Sequence, residues 1–154
     1  MTVKKINLVF KSIIIILGVS GLSLLLVVGP KISDYLETTS FEYLILGLLW
    51  VTALPVIFIL FKLWKISSDL LKSDIFSIKN SQRLIQIAYA SLVESGIYGI
   101  GIVIGLVELK GNYPFFLICF FFFFVGLTLS VIASLLSYIF KIAGNIKEEN
   151  DLTI

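Results

Sequence analysis

One acidic residue inside an apolar stretch is the first candidate for chemistry. Glu94 lies within a long hydrophobic run, and at about 100° per residue Ser91, Ser95 and Tyr98 share its helical face. Lys11 lies at a similar depth in the first hydrophobic run and is the predicted counter-ion. Such an intramembrane polar site either holds helices together or binds an ion or proton. A contact with a lipid headgroup or a partner is the third interpretation.

Other chemistry-bearing residues are scarce. Histidine, the commonest general base and zinc ligand, is absent, and Cys119 is the single cysteine. No P-loop, zinc-protease or nucleophile-elbow motif occurs. We therefore expect no enzyme activity, no catalytic residue, no cofactor and no metal, and we expect Cys119 to be a buried, inert thiol.

The composition is that of a membrane protein. Hydrophobic residues make up 58% of the 154 residues, and charged residues make up only 14%. Soluble domains have about 45–50% apolar and about 25% charged residues. This excludes an ordinary soluble protein, a disordered tail and a protein that coats nucleic acid. The net charge of +2 gives no reason to expect direct binding of nucleic acid.

Four apolar stretches reach the length of about 20 residues that a membrane-spanning helix needs. They cover residues 6–28, 43–63, 87–107 and 115–140. The first is longer than a signal-peptide core and has no cleavage site after it, so we expect a retained span. The continuous apolar runs favour helices over barrel strands. The predicted fold is an all-α integral membrane four-helix bundle in the cell membrane, a single domain over residues 1–154.

Basic residues predict the orientation of this bundle. Ten of the twelve lysines and arginines lie in the N-terminal segment up to Lys11, in the segment from Lys62 to Arg83, or after span four. The other two connections, residues 29–42 and 108–114, carry only Lys31 and Lys110. Because cytoplasmic loops are enriched in lysine and arginine, we expect both termini and the middle connection to be cytoplasmic.

The middle connection has helical features of its own. Apolar residues repeat at helical spacing over residues 63–71, followed by a break at residues 72–76. Ser77 is a favoured N-cap, and a helix without Gly or Pro follows from Ile78. We predict a cytoplasmic helical hairpin extension between helices 2 and 3. The alternative is an interfacial segment that Trp64 and the lysines anchor among headgroups.

Charged residues near this hairpin are the candidates for partner binding. They are Lys65, Lys72, Lys79 and Arg83. Gly144 is predicted to end the fourth helix and to begin the free part of a cytoplasmic tail over residues 141–154. That tail is either solvated or docked through Leu152 and Ile154 onto the lysine-bearing hairpin.

Helix packing is predicted from small residues and one proline. Pro55 is expected to kink the second span near Val51 and Thr52. Small side chains let membrane helices approach closely. The predicted packing positions are Gly99, Gly101, Gly105, Gly126 and Ser130. They serve either packing within the chain or a homodimer seam, whereas most of the phenylalanines at residues 120–124 should face lipid.

The layout resembles one bacterial family. The four-span pattern, the Phe76-Ser77 hinge before a charged helix start, and the ending over residues 146–154 are similar to proteins catalogued as domain of unknown function 2975. The similarity covers nearly the whole chain and implies a small four-span membrane protein without an established activity. Members are often encoded beside a small helix-turn-helix regulator, which implies such a regulator as a soluble partner.

Three functional hypotheses follow. The first is a regulatory or interaction protein whose cytoplasmic face binds a soluble partner. The second is a small transporter or peptide-immunity protein that uses the Glu94 face of span three. The third is a subunit of a larger membrane complex.

Overall fold

The chain forms long helices joined by short connections. The structure is a computed structural model, and it describes residues 2–34, 39–72, 75–108 and 113–151. No strand occurs in this part of the chain. The helices are α1 (Val3–Ser23), α2 (Gly29–Asp34), α3 (Thr39–Leu70), α4 (Ile78–Glu108) and α5 (Tyr113–Asp151), and a π-helical turn, Leu24–Val28, joins α1 to α2.

Four helical segments are long and apolar enough to cross a membrane, which confirms the predicted fold class. These segments are Val3–Lys31, Ile45–Leu70, Ile78–Val107 and Tyr113–Asn150. Large apolar side chains remain exposed along all of them. In water such a surface would be unstable, whereas in a bilayer it is the surface that contacts lipid.

The helices pack mainly in the order of the sequence. The most extensive contact joins α4 to α5, α3 packs on α4, and α1 packs on α3. One buried cluster contains Tyr98, Phe115 and Cys119, and side chains of α3 pack against it. A second cluster closer to the α3–α4 connection contains Leu84, Ile87, Ala88 and Ala133. Helix α4 therefore lies between α3 and α5.

The α3–α4 connection begins and ends where the sequence predicts. Helix α3 ends at Leu70 and α4 begins at Ile78. The Ser77 hydroxyl caps α4 by accepting a hydrogen bond from the backbone amide of Asn80 at 3.3 Å. Helix α3 thus continues past residue 63, where the predicted second span ends, and the cytoplasmic helical hairpin extension stays a prediction.

Gly144 does not end the fourth helix, and that prediction is wrong. Helix α5 continues through Gly144 to Asp151. Gly144 is buried against the start of α4, and a Cβ atom there would lie 3.2 Å from the backbone nitrogen of Ile78. The glycine therefore allows two backbones to approach instead of breaking a helix. The predicted contacts of Leu152 and Ile154 lie outside the described residues.

Two further segments depart in detail from the sequence pattern. The predicted connection 29–42 contains α2 and the first residues of α3. Helix α3 continues through Pro55, and the Thr52 hydroxyl donates hydrogen bonds to the carbonyls of Leu48 and Leu49 at 2.9 and 3.1 Å. The kink at Pro55 stays a prediction.

Candidate functional site

The polar face predicted around Glu94 is mostly a helix contact. Ser95 is buried and its hydroxyl donates a 2.8 Å hydrogen bond to the carbonyl of Phe123 on α5. Ser91 is fully buried, and its hydroxyl has no hydrogen-bond partner in the described part of the chain. Tyr98 is buried and its ring stacks on Phe122, with centroids 5.1 Å apart. Ser95 and Tyr98 thus join α4 to α5.

Glu94 and Lys11 are not brought together. Glu94 is half-buried, and the ion pairs among the described residues do not include it. The Lys11 ammonium instead lies 4.7 Å from the ring centre of Trp64. The physical reason is the packing order, since α1 lies against α3 and its lysine meets α3 before it can reach α4.

The predicted small residues contact other helices of the same chain. A Cβ atom on Gly101 would lie 3.4 Å from Leu48, and one on Gly99 would lie 3.4 Å from the Phe123 ring. A Cβ atom on Gly105 would lie 2.9 Å from the Phe115 ring, and one on Gly126 would lie 3.0 Å from the carbonyl oxygen of Ser91. Ser130 is half-buried on α5. Packing within the chain thus accounts for these glycines.

A buried ion pair at the α3–α4 connection was not predicted. The Arg83 guanidinium on α4 donates to the Asp69 carboxylate on α3, and the two side chains are only 12% and 14% exposed. Arg83, a predicted partner-binding residue, is thus turned inward. The sequence signal for this ion pair is that Asp69 and Arg83 carry opposite charges and lie at similar distances on either side of the turn of the predicted hairpin.

Asn80 extends this ion pair into the connection. It is fully buried, its side-chain oxygen accepts a 2.6 Å hydrogen bond from Arg83, and its amide nitrogen donates to the carbonyl of Ile75 at 3.1 Å. The side chain therefore satisfies a backbone carbonyl between the two helices. A buried polar group with partners on both sides holds the connection in one conformation.

Serine hydroxyls near the α3–α4 connection form hydrogen bonds between neighbouring helices. The Ser81 hydroxyl donates to the carbonyl of Ser137, and the Ser137 hydroxyl donates to the carbonyl of Ser81, both at 2.8 Å. On the other side, the Ser67 hydroxyl donates to the side-chain oxygen of Asn7 at 2.7 Å and joins α3 to α1. Helices α1, α3, α4 and α5 are thus connected by hydrogen bonds at one end of the molecule.

This end of the molecule is called the polar platform, and it comprises residues 65–72, 75–83 and 137–151. Its interior is the Asp69–Arg83–Asn80 network. Its outer surface carries exposed Lys72 and Lys79, while Lys65 is half-buried. Exposed apolar side chains lie among these charges, namely Leu71, Phe76, Ile142 and Ile146. Within the described residues no group of His, Cys, Asp and Glu can hold a metal ion.

Comparison with known proteins agrees with this membrane architecture. An uncharacterized membrane protein of Bacillus subtilis (strain 168), YoaS, is 28% identical to this chain in an alignment of length 151, and the match covers 94% of this chain and 94% of the relative. No solved structure matches the chain.

A family model extends the comparison to a whole group of proteins. The model of the protein of unknown function DUF2975 matches residues 26–154. The match includes α3, α4, α5 and the polar platform, and it agrees with the resemblance seen in the sequence. The chain is therefore a membrane protein of the DUF2975 family.

Proposed function

We propose that this chain is a membrane-anchored interaction protein whose polar platform binds a soluble partner. The observation that carries the proposal is the platform itself, the hydrogen-bonded end of the helix bundle, which has charged and apolar groups on its outer surface. The proposal assigns binding and not catalysis to the molecule. It places both termini and the platform in the cytoplasm, in line with the distribution of lysine and arginine.

Rigidity supports this proposal. The interior of the platform is held by the Asp69–Arg83 pair, by buried Asn80 and by the reciprocal Ser81–Ser137 hydrogen bonds. The rings of Phe76 and Phe140 also contact each other, with centroids 5.0 Å apart. A binding surface that is already ordered loses little conformational entropy when a partner associates.

The outer surface has the composition of an interface. Ile142 and Ile146 are exposed one turn apart on α5, at 43% and 54%, beyond the most apolar part of that helix. Exposed Lys79 and Lys141 and the acidic pair Glu148 and Glu149 provide charges of both signs on the platform. Apolar centres with polar rims are typical of interfaces between proteins.

A helix-turn-helix regulator is the partner that the family resemblance suggests. A regulator held on the platform would be kept at the membrane and away from its DNA site. The chain then acts on transcription without contacting nucleic acid itself.

A co-purification experiment tests the proposal. The full chain is crosslinked in native membranes and purified, and the regulator encoded beside its gene is quantified. We expect Ile146→Glu and Lys79→Glu to reduce recovery of the regulator at least about tenfold, because a change at one of the few residues that dominate an interface costs about 2 kcal/mol or more. The matched control is Lys4→Glu, an exposed charge reversal on α1 that should leave recovery unchanged.

A second variant tests whether the platform acts as one unit. Gly144→Leu forces α5 away from the start of α4, because even a Cβ atom would lie 3.2 Å from the Ile78 nitrogen. We expect faster trypsin cleavage at Lys147 together with lower recovery of the regulator. Unchanged recovery despite faster cleavage would contradict the proposed role of the platform.

The transporter hypothesis has one observation in its favour. Glu94 is half-buried in a span and has no ion-pair partner among the described residues. A transporter should lose function in Glu94→Gln and keep it in Ile146→Glu. The interaction protein should show the opposite pattern.

A further inference from the structure

An apolar groove opens between α3 and α4 within the membrane-spanning part. Its volume is about 460 Å³, which is within the range of about 300–1,000 Å³ typical of sites for small molecules. Leu54, Pro55 and Phe58 line it on α3, and Ala90 and Val93 line it on α4. No acidic residue is among the lining residues, so the groove suits a hydrocarbon chain.

Two lysines follow the groove-lining residues along α3, in the direction of the polar platform. The Lys62 ammonium is 4.7 Å from the ring centre of Phe58, which lines the groove, and the Lys65 ammonium is 4.3 Å from that of Phe61. Helical side chains point toward the N-terminus of their helix, which for α3 is the direction away from the platform. Both ammonium groups therefore lie back toward the apolar layer.

These two cations have no carboxylate partner in the part of the chain that the structure describes. The nearest acid along α3, Asp69, is occupied by Arg83 and also contacts Lys72. A cation at the edge of hydrocarbon is costly unless an anion or water meets it, and contact with an aromatic ring compensates only in part. The site therefore presents two cations and no carboxylate among the described residues, which suits an anionic group from outside the chain.

Polar groups on α4 face the same end. Gln86 and Tyr89 line the groove and are exposed. Because α4 begins at the platform, its side chains point toward the platform and thus toward the polar end of the groove. An amide and a hydroxyl are hydrogen-bond donors that phosphate or glycerol oxygens can use.

We propose that this groove binds one anionic phospholipid. One acyl chain lies between α3 and α4, and the phosphate is bound at Lys62 and Lys65 with Gln86 and Tyr89 as further donors. The occupant must combine an apolar chain with a negative charge at one end, which is the chemistry of this lipid class. The assignment is independent of the partner proposed for the platform.

Native mass spectrometry of the full chain in detergent tests the proposal. Phosphatidylglycerol and phosphatidylcholine with the same acyl chains are added in equal amounts, and the retained lipid is measured. We expect preferential retention of phosphatidylglycerol. A basic residue near an anionic lipid surface contributes about fivefold in affinity, so Lys62→Gln and Lys65→Gln should each lower that preference by about fivefold.

A matched control separates a site from general attraction between charges. The double variant Lys4→Gln, Lys5→Gln removes two exposed lysines from α1 and should leave the preference unchanged. Equal loss in this control and in the Lys62 and Lys65 variants would overturn the proposal, and so would equal retention of both lipids by the unmodified chain.

A groove variant tests the acyl chain. Ala90→Leu narrows the groove without changing charge, and we expect it to reduce phosphatidylglycerol retention while Lys62 and Lys65 remain. Unchanged retention, or equal competition by glycerol phosphate that carries no acyl chain, would overturn the assignment to a lipid. A dimer of the chain that retains no lipid would assign the groove to a second copy instead.

Discussion

Asp69 and Arg83 show how a single pair of residues shapes this molecule. Both side chains are largely buried, on two packed helices that a short connection joins. A buried charge requires a partner, so each residue restricts where the other helix can lie. Asn80 shares Arg83 and binds the connection through the Ile75 carbonyl.

We expect Asp69→Asn and Arg83→Met each to destabilise the protein by about 3 kcal/mol, because either change removes the main partner of a largely buried charge. The measurement is thermal unfolding in detergent. The double variant should lose much less free energy of unfolding than the sum of the losses in the two single variants. Lys79→Met, an exposed change on the same helix, is the control. Additive losses would show that the two residues do not depend on each other.

Lys11 and Glu94 are expected to behave independently. Lys11 lies over Trp64, whereas Glu94 lies on a helix that α1 does not pack against. The effects of Lys11→Met and Glu94→Gln on unfolding should therefore add within about 0.5 kcal/mol, as for separated sites. Strongly non-additive effects on unfolding would instead support the prediction that Lys11 is the counter-ion of Glu94.

At the scale of elements, glycines decide how closely helices approach. Gly126 on α5 lies against the backbone of Ser91 on α4, and Gly144 lies against the start of α4. Lipid gives no hydrophobic driving force between helices, so close backbone contact and hydrogen bonds must hold them together. The most extensive contact, α4 with α5, combines both.

Gly126→Ala should destabilise the protein by about 1–3 kcal/mol, because its Cβ atom would lie 3.0 Å from the Ser91 carbonyl oxygen and the Ser95 Cβ. Gly96→Ala is the matched control on the partner helix. A Cβ atom there meets nothing within 4 Å, so the better helix propensity of alanine should leave stability unchanged or raise it. Equal unfolding temperatures of both variants would show that α4 and α5 are not packed through Gly126.

At the scale of the whole molecule, the helices pack mainly with their neighbours in sequence. The buried clusters are built by α3, α4 and α5, and α1 packs on α3. The family match begins at residue 26, after most of α1. The family model therefore covers α3, α4, α5 and the polar platform, whereas the match to the Bacillus subtilis relative covers 94% of the chain and includes α1.

A topology reporter checks the orientation of the entire bundle. An enzyme that is active only in the cytoplasm, fused after Ile154, should be active. The same enzyme inserted into the connection at residues 109–112 should be inactive, because lysine and arginine favour the other end of the spans. Activity at the second site alone would reverse the orientation.

The sequence by itself determines the membrane location, the number of spans and several helix boundaries. Continuous apolar runs of the required length have one stable solution in lipid, a helix that satisfies its own backbone hydrogen bonds. Ser77 and Ile78 likewise mark a helix start through local capping chemistry alone. These features depend on neighbours along the chain, so spacing is sufficient to predict them.

Only the tertiary structure decides which side chains meet. Arg83 is exposed or buried according to whether Asp69 lies opposite, and Lys11 contacts Trp64 because α1 packs on α3. Gly144 is typical of a helix end by local rules, yet it lies inside α5 because the backbone of α4 approaches there. The rotation and order of the helices determine each of these contacts, since they join residues far apart in sequence.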